Sequence, residues 1–156
     1  MRVLALALAL FAAASAAAAE VKVVRVFTGW RDAASFKRIS EYFTGRENTG
    51  GEIVVRSRPA ERGGYYFLVR TDNPGPARAV TFLLHVVTPG AEAPRLFRFA
   101  STLPAGKAVH QLGLTGEDWP DREIDAMAWK LEVADAAGNT VLADAKSYLW
   151  EKPAGK

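Results

Sequence analysis

The chain has 156 residues, no cysteine and a formal net charge of +3 at pH 7. Without cysteine, the protein has no disulfide, thiolate nucleophile, cysteine-ligated metal or cysteine-linked lipid. Removing Arg2 with a signal segment would lower the charge from +3 to +2, which is too small to indicate a nucleic-acid partner. The length suits a single domain that can bury a core.

The first residues have the composition of a secretory signal. Arg2 precedes an apolar run over residues 3–14, and small residues follow up to Ala19. This predicts a signal peptide over residues 1–19, cleaved after Ala19. The apolar run is shorter than the roughly 20 residues of a membrane-spanning helix, and no later segment approaches that length. We expect an exported protein, periplasmic or extracellular, with a single domain over residues 20–156.

One segment, DAASFKRISEYFTG, has helical periodicity. Asp32 suits the N-cap, and Gly45 suits the left-handed residue after the last turn. Three apolar residues recur at i, i+3 and i+7: Phe36, Ile39 and Phe43. The pattern predicts one short amphipathic helix at about residues 33–44, packing these side chains against a sheet.

The other segments are rich in β-branched and aromatic residues and are separated by glycine and proline turns, which is typical of strands. They cover residues 21–27, 52–58, 65–71, 79–88, 95–102 and 108–114. No helical crossover separates the last five, so we expect antiparallel pairing.

Residues 129–150, WKLEVADAAGNTVLADAKSYLW, are predicted to form a hairpin. The first strand alternates apolar and polar residues, so one face is buried and the other is wet. A three-residue loop, Ala136-Ala137-Gly138, places Gly138 at the left-handed bulge position. The register then sets Val133 opposite Val141, Leu131 opposite Ala143, Trp129 opposite Ala145 and Lys130 opposite Asp144.

Two aromatic residues, Tyr148 and Trp150, end this hairpin. The register puts both on the outer face, away from Trp129. Either they form an external aromatic surface that binds a ligand, or a bulge near Ser147 turns them into the interior. Their burial distinguishes the two alternatives.

In strand number, turn spacing and final hairpin, residues 52–150 resemble an immunoglobulin-like or fibronectin-type β-sandwich, as found in many exported bacterial proteins. The paired cysteines of true immunoglobulin domains are absent. The resemblance implies an all-β fold, an antiparallel immunoglobulin-like β-sandwich with one short N-terminal amphipathic helix. It implies no family function.

Few residues point to catalysis. His85 and His110 each lie inside a predicted strand without metal-ligand spacing, so we expect a sheet residue and a core-edge residue. The serines lack the Gly-x-Ser-x-Gly elbow, and no phosphate-binding or dinucleotide-binding glycine pattern occurs. We expect no catalytic residue, metal ligand or cofactor, and a small hydrolase is the least favoured alternative.

The loop LTGEDWPDREIDAM, residues 114–127, contains candidate ligand-binding residues. An exposed Trp119 can stack on a sugar ring while Asp118 and Asp121 bond its hydroxyls, and Trp30 is a second candidate. Alternatively, both indoles cover the ends of the sandwich. The acidic oxygens also suit Ca²⁺, although the spacing of a dedicated calcium loop is absent.

Basic residues interleave with Tyr65 and Tyr66, a pattern that can contact nucleic acid or anionic glycans. They are Arg56, Arg58, Arg62, Arg70 and Arg78. Because the predicted protein is exported and weakly charged, we expect instead that these arginines protect strand edges, and we expect no nucleic-acid partner.

The sequence therefore predicts an exported, non-catalytic binding or protein-interaction module whose partner is a protein or a glycan. The alternative is a carbohydrate-binding module that uses aromatic residues. Its candidate residues are Trp119, Trp30, Tyr148 and Trp150.

Overall fold

The computed structural model describes residues 20–151. The predicted signal peptide, residues 1–19, lies outside the described residues, as do residues 152–156. No helix between residues 20 and 151 has the length and apolar character needed to cross a membrane.

Eight strands form two four-stranded sheets, and each predicted strand has a counterpart. The strands are β1 (Lys22–Arg31), β2 (Ile53–Arg56), β3 (Gly64–Asn73), β4 (Arg78–Val87), β5 (Arg95–Leu103), β6 (Gly106–Thr115), β7 (Ala128–Asp135) and β8 (Val141–Lys146). The first sheet has the order β1-β3-β6-β2 and the second β5-β4-β7-β8. The predicted all-β sandwich is confirmed.

Pairing is antiparallel except at β2, which runs parallel to β6 with Ile53 opposite His110. The expectation of antiparallel pairing throughout is therefore wrong at this edge. β1 and β6 are both antiparallel to β3, so β1, β6 and β2 run in one direction. Residues 32–52 must return the chain along the sheet before β2 begins, and this return makes the parallel pairing possible.

The core lies between the two sheets, because alternate side chains of each central strand point inward. Its fully buried members include Phe67, Val69, Phe82, Leu84, Leu112 and Leu131. Trp129 packs against this core and meets the ring of Phe67 edge-on, with centroids 5.9 Å apart. The inward face predicted for Trp129 is confirmed.

His110 lies deeper than the core edge predicted for it. Its side chain is fully buried, its ring centroid is 4.9 Å from that of Phe82, and neither ring nitrogen has a hydrogen-bond partner. Burial lowers the pKa of His110 to about 4, because an apolar surrounding disfavours the charged imidazolium. The residue is therefore neutral at pH 7.

In the β7–β8 hairpin, most side chains point to the side of the sheet that the sequence predicts, but the residues pair in a different register. Asp135 N–H donates to the carbonyl of Thr140 at 2.9 Å, so the loop covers residues 136–139 instead of three residues. Gly138 has φ 77, the predicted left-handed conformation. The observed partners are Ala134 with Val141, Val133 with Ala143, Leu131 with Ala145, Glu132 with Asp144 and Lys130 with Lys146.

Two local features account for this register. The Asp135 carboxylate accepts a hydrogen bond from Asn139 N–H at 2.8 Å, which closes the longer turn. Leu142 is then the extra residue of a bulge, because the partners of neighbouring Val133 and Ala134 are Ala143 and Val141. The bulge absorbs one residue and so restores the facing that the longer loop would have inverted.

The predicted helix over residues 33–44 is divided in two. Residues Ala33–Phe36 form a 3₁₀ turn, Lys37 and Arg38 are extended, and α1 covers Ile39–Thr44. The Asp32 side chain makes no capping hydrogen bond, so its predicted role is wrong, whereas Gly45 has the predicted left-handed conformation with φ 65.

The division follows from what the two parts contact. Phe36 is buried as predicted, with its ring centroid 4.8 Å from that of Tyr66, whereas Glu41 in α1 pairs with Arg62. Residues five apart on one straight helix point about 140° away from each other. A continuous helix therefore cannot turn both side chains toward the sheet.

Candidate functional site

Helix α1 is inverted, with its apolar side chains facing solvent. Ile39, Tyr42 and Phe43 are 78%, 80% and 85% exposed, and their spacing places them on one helix face. We call these three residues the α1 patch. The prediction that Ile39 and Phe43 pack against a sheet is wrong.

Polar contacts hold α1 in this orientation. The Glu41 carboxylate, on the opposite helix face, accepts a hydrogen bond from Arg62 Nη1 at 2.8 Å. Ser40 Oγ accepts a second from Asn48 Nδ2 at 3.0 Å. The Arg62 hydrogen bond is the main cause that lowers the pKa of Glu41 below its usual range. Sequence periodicity missed this arrangement because the arginine lies 21 positions away.

A charged network continues beneath the return segment, residues 32–52. Arg56 donates two hydrogen bonds to the Glu47 carboxylate, at 2.6 and 2.8 Å, and a third to Tyr66 Oη at 2.7 Å. The hydrogen bonds from Arg56 lower the pKa of Glu47. The Arg56 guanidinium also lies 4.8 Å from the centre of the Phe36 ring. Arg56, in the edge strand β2, and Arg62 therefore fasten this segment to the sandwich.

A cavity of about 360 Å³ lies beside this network. Gln111, which is buried, joins its walls by accepting a hydrogen bond from Arg31 and donating one to Glu52. The donors and acceptors at its centre are thus already matched within the protein. The cavity explains how the return segment is attached, and it offers few free polar groups to a ligand.

Three cations flank α1. Lys37 and Arg38 directly precede the helix, and Arg46 follows Gly45. All three are exposed, and none forms an ion pair with the side chains of residues 20–150. The guanidinium of Arg38 lies beside Gly50 and lines the cavity described above, so the cations that border the α1 patch are Lys37 and Arg46.

A second candidate surface is a groove at the end of the sandwich where β1 stops and β3 starts. Its volume is about 730 Å³. We call it the end groove, and its lining includes Trp30, Glu61, Arg62, Gly116, Glu117 and Trp119. Two predicted ligand-binding residues, Trp30 and Trp119, thus meet here although they are remote in the sequence.

The two indoles differ in exposure. Trp30 is partly exposed, and its Nε1–H donates to Asp32 Oδ1 at 3.0 Å. Trp119 is only 3% exposed, stacks on Tyr65 at 4.5 Å and donates from Nε1 to the carbonyl of Ile124 at 3.0 Å. The hypothesis of an exposed Trp119 is wrong. Its burial agrees with the alternative that this indole covers an end of the sandwich.

The acids beside Trp119 have partners within the protein. Asp118 lies 3.2 Å from Arg58 Nε and 3.5 Å from Arg95 Nη2. Asp121 Oδ1 accepts from Glu123 N–H at 2.9 Å within its own turn. Among residues 20–151, no group of three or more histidine, aspartate or glutamate side chains is arranged to hold a metal ion.

Tyr148 and Trp150, the two aromatic residues after β8, lie in different surroundings. β8 ends at Lys146, and residues Tyr148–Glu151 form a 3₁₀ turn instead of continuing the strand. Tyr148 is 80% exposed, whereas Trp150 is partly buried, with its ring centroid 5.9 Å from that of His85. Neither lines the end groove, so the four candidate aromatic residues do not form one surface.

His85 is a sheet residue, as predicted. Its Nε2 lies 3.4 Å from Glu132 Oε2, and Lys130 Nζ lies 2.8 Å from the other oxygen of the same carboxylate. The hydrogen bond from Lys130 is the main cause that lowers the pKa of Glu132. No histidine lines either the end groove or the cavity beside Phe36.

Comparison with known proteins gives a structural similarity but no family. No protein-family model matches the chain, and no curated protein matches it. A solved structure of an immunoglobulin-like protein from Pseudomonas aeruginosa is similar, with 21% sequence identity, coverage of 83% of this chain and 96% of that chain, and a TM-score of 0.33. The sandwich itself is established by the two sheets described above, and the similarity supports no function.

Proposed function

We propose that this protein is an exported, non-catalytic binding module that recognises a protein partner through the α1 patch. The inverted orientation of α1 is the observation behind this proposal. A surface helix ordinarily buries its apolar stripe and exposes its polar side chains. Here the polar face is fastened to the protein by Glu41 and Arg62, and the apolar face is left open.

The chemistry of the patch defines the partner. Tyrosine and phenylalanine bury about 150–250 Å² each, and a typical stable interface buries about 800 Å² on each side. The α1 patch is therefore large enough for the central anchor of an interface and too small for all of it. Lys37 and Arg46, which are exposed and form no ion pair with the described side chains, favour an acidic border on the partner. We infer a partner with an apolar pocket surrounded by carboxylates.

The patch favours a protein over a lipid surface. Helices that lie in a membrane interface have a free polar face rich in lysine and arginine opposite the apolar one. The face of α1 opposite its three exposed apolar side chains instead carries Glu41, which is bonded to Arg62 of the sandwich. Because ionic contacts surround the apolar centre, the binding should weaken as salt concentration rises.

Site-specific crosslinking in the cell that makes the protein tests this proposal. Replacing Tyr42 by p-benzoylphenylalanine should give a crosslink to one partner protein. The same replacement at Tyr148, which is equally exposed, is the matched control and should not give it. The purified partner should then bind the mature chain at least tenfold more weakly after Phe43→Ser.

Two further measurements test whether the patch binds a second copy of this chain or a membrane instead. Analytical ultracentrifugation of the mature chain measures self-association, and flotation with anionic phosphatidylglycerol vesicles measures membrane binding. Self-association that is lost in Phe43→Ser would show that the patch joins two copies of this chain. Vesicle binding lost in the same variant would show a membrane surface. Either result, or equal crosslinking from positions 42 and 148, would overturn the proposal.

A further inference from the structure

The end groove has a wall that is both aromatic and acidic. Trp30 is partly exposed, and its orientation is fixed by the hydrogen bond to Asp32. Trp119 is fixed by its stacking on Tyr65 and its bond to the carbonyl of Ile124, but it is only 3% exposed, so Trp30 is the indole that a ligand can contact. Aromatic side chains held in this way need little further ordering when a ligand binds, which favours affinity.

The Glu61 carboxylate lies in the lining of the groove, beside Gly116. A Cβ atom added at Gly116 would lie 2.7 Å from Glu61 Oε1, so the carboxylate occupies the space that a larger residue at position 116 would need. No hydrogen bond or ion pair joins the Glu61 carboxylate to any side chain of residues 20–150. The Glu61 carboxylate therefore has no direct ion-pair partner among these residues.

The other charged residues of the groove do not neutralise Glu61. Glu117 adds a second negative charge; its side chain is 88% exposed and lies 3.5 Å from Arg58. Arg62, the cation in the groove wall, is directed to Glu41 at 2.8 Å and toward Glu47 at 3.8 Å. The lining therefore combines the partly exposed indole of Trp30 with an excess of negative charge.

We propose that the end groove binds a ligand through a cationic nitrogen, an alkylammonium or quaternary ammonium group. A cation is attracted to the face of an indole by the ring quadrupole, with tryptophan the strongest partner. Glu61 and Glu117 add attraction between opposite charges. A neutral sugar would use the indole but not the charges. This site is separate from the α1 patch, so the inference goes beyond the proposed function.

Tryptophan indole resonances in the NMR spectrum of the mature chain test the site. The chain has four tryptophans, and the Trp30 resonance should shift saturably with tetramethylammonium chloride. Neopentyl alcohol, its neutral counterpart in shape, and methyl α-glucopyranoside should give no saturable shift. Sodium chloride at equal concentration controls for ionic strength.

Two variants separate charge from shape. Glu61→Gln keeps the side-chain shape and should raise the dissociation constant for tetramethylammonium at least fivefold. Asp144→Asn removes the same charge from an exposed position on β8 and should leave the constant unchanged. Unchanged backbone resonances outside the groove establish that each variant is folded.

Three outcomes would overturn the inference. A saturable shift with the glucoside and none with the cation would make the groove a saccharide site. Equal affinity for the cation and for neopentyl alcohol would reduce it to an apolar groove. No saturable shift of Trp30 with any of the probes would show that the groove is not a binding site for this class.

Discussion

Lowering the pH from 7 to 5 should destabilise the sandwich through His110. Its pKa is about 4 in the folded chain, against 6.5 for an unperturbed histidine. Because the folded pKa is the lower one, the unfolded chain binds more protons below pH 6.5, and the free energy of unfolding falls as pH drops toward 4. The difference of 6.5 − 4 = 2.5 pKa units corresponds to about 3 kcal/mol in full, and about 2 kcal/mol is lost by pH 5.

Urea unfolding of the mature chain, followed by tryptophan fluorescence, measures this loss. Between pH 7 and pH 5, the wild type should lose about 2 kcal/mol more than His110→Leu. The leucine variant should also be at least as stable at pH 7, because it removes two buried ring nitrogens that lack partners. His85→Gln is the control and should keep the wild-type loss, since His85 is not buried in the core.

This pH window isolates the histidine. The carboxylates of Glu41, Glu47 and Glu132 have lowered pKa values, so they stay ionised at pH 5 in the folded chain. If His110→Leu lost as much stability as the wild type between pH 7 and pH 5, the apolar surrounding of His110 would not be what disfavours its charge. The reasoning from burial would then be refuted.

Three further outcomes are expected. Arg56→Leu should lower the free energy of unfolding by about 2–4 kcal/mol in urea, because it leaves the Glu47 carboxylate with only the 3.8 Å contact to Arg62; no loss would mean that this ion pair is dispensable. Gly64→Ala should lower the free energy of unfolding by about 1–3 kcal/mol through overpacking, since its Cβ would collide with Leu114 and Thr115 of the neighbouring strand β6. Gly29→Ala is its control: a Cβ there has nothing within 4 Å, so the variant should show no such loss of stability. In hydrogen-exchange measurements at one pH, Glu41→Gln should lower the protection of the α1 amides without changing protection in β3. Because the Arg62 hydrogen bond lowers the pKa of Glu41, acidification of the wild type should also lower the α1 protection factors, once the intrinsic exchange rates are corrected for pH. Unchanged α1 protection would contradict the role of the Arg62 bond.

Local pattern was enough to predict the strands and the facing of most of the hairpin. The two-residue period of β7 identified Leu131 and Val133 as inward residues, and both are fully buried. The register was missed because Asp135 closes a longer turn and Leu142 forms a bulge. These are side-chain and backbone details that alternation of polarity does not encode.

The candidate surfaces depended on contacts between distant residues. Trp30 and Trp119 were chosen from sequence as ligand-binding candidates, but the stacking of Trp119 on Tyr65 removes it from solvent. The orientation of α1 could not be predicted because it is set by one long-range bond between Glu41 and Arg62.

The return segment is attached to the sandwich mainly through polar contacts, and this affects how freely its sequence can vary in evolution. Among residues 32–52, Phe36 is the only buried residue, and the remaining attachment is made by polar and ionic contacts. Substitutions at its exposed positions are remote from the core between the sheets, so their effects on folding should be small and nearly independent of core changes. The sandwich can therefore persist while this segment diverges, and new partner specificities can arise in the segment without compensating changes in the core.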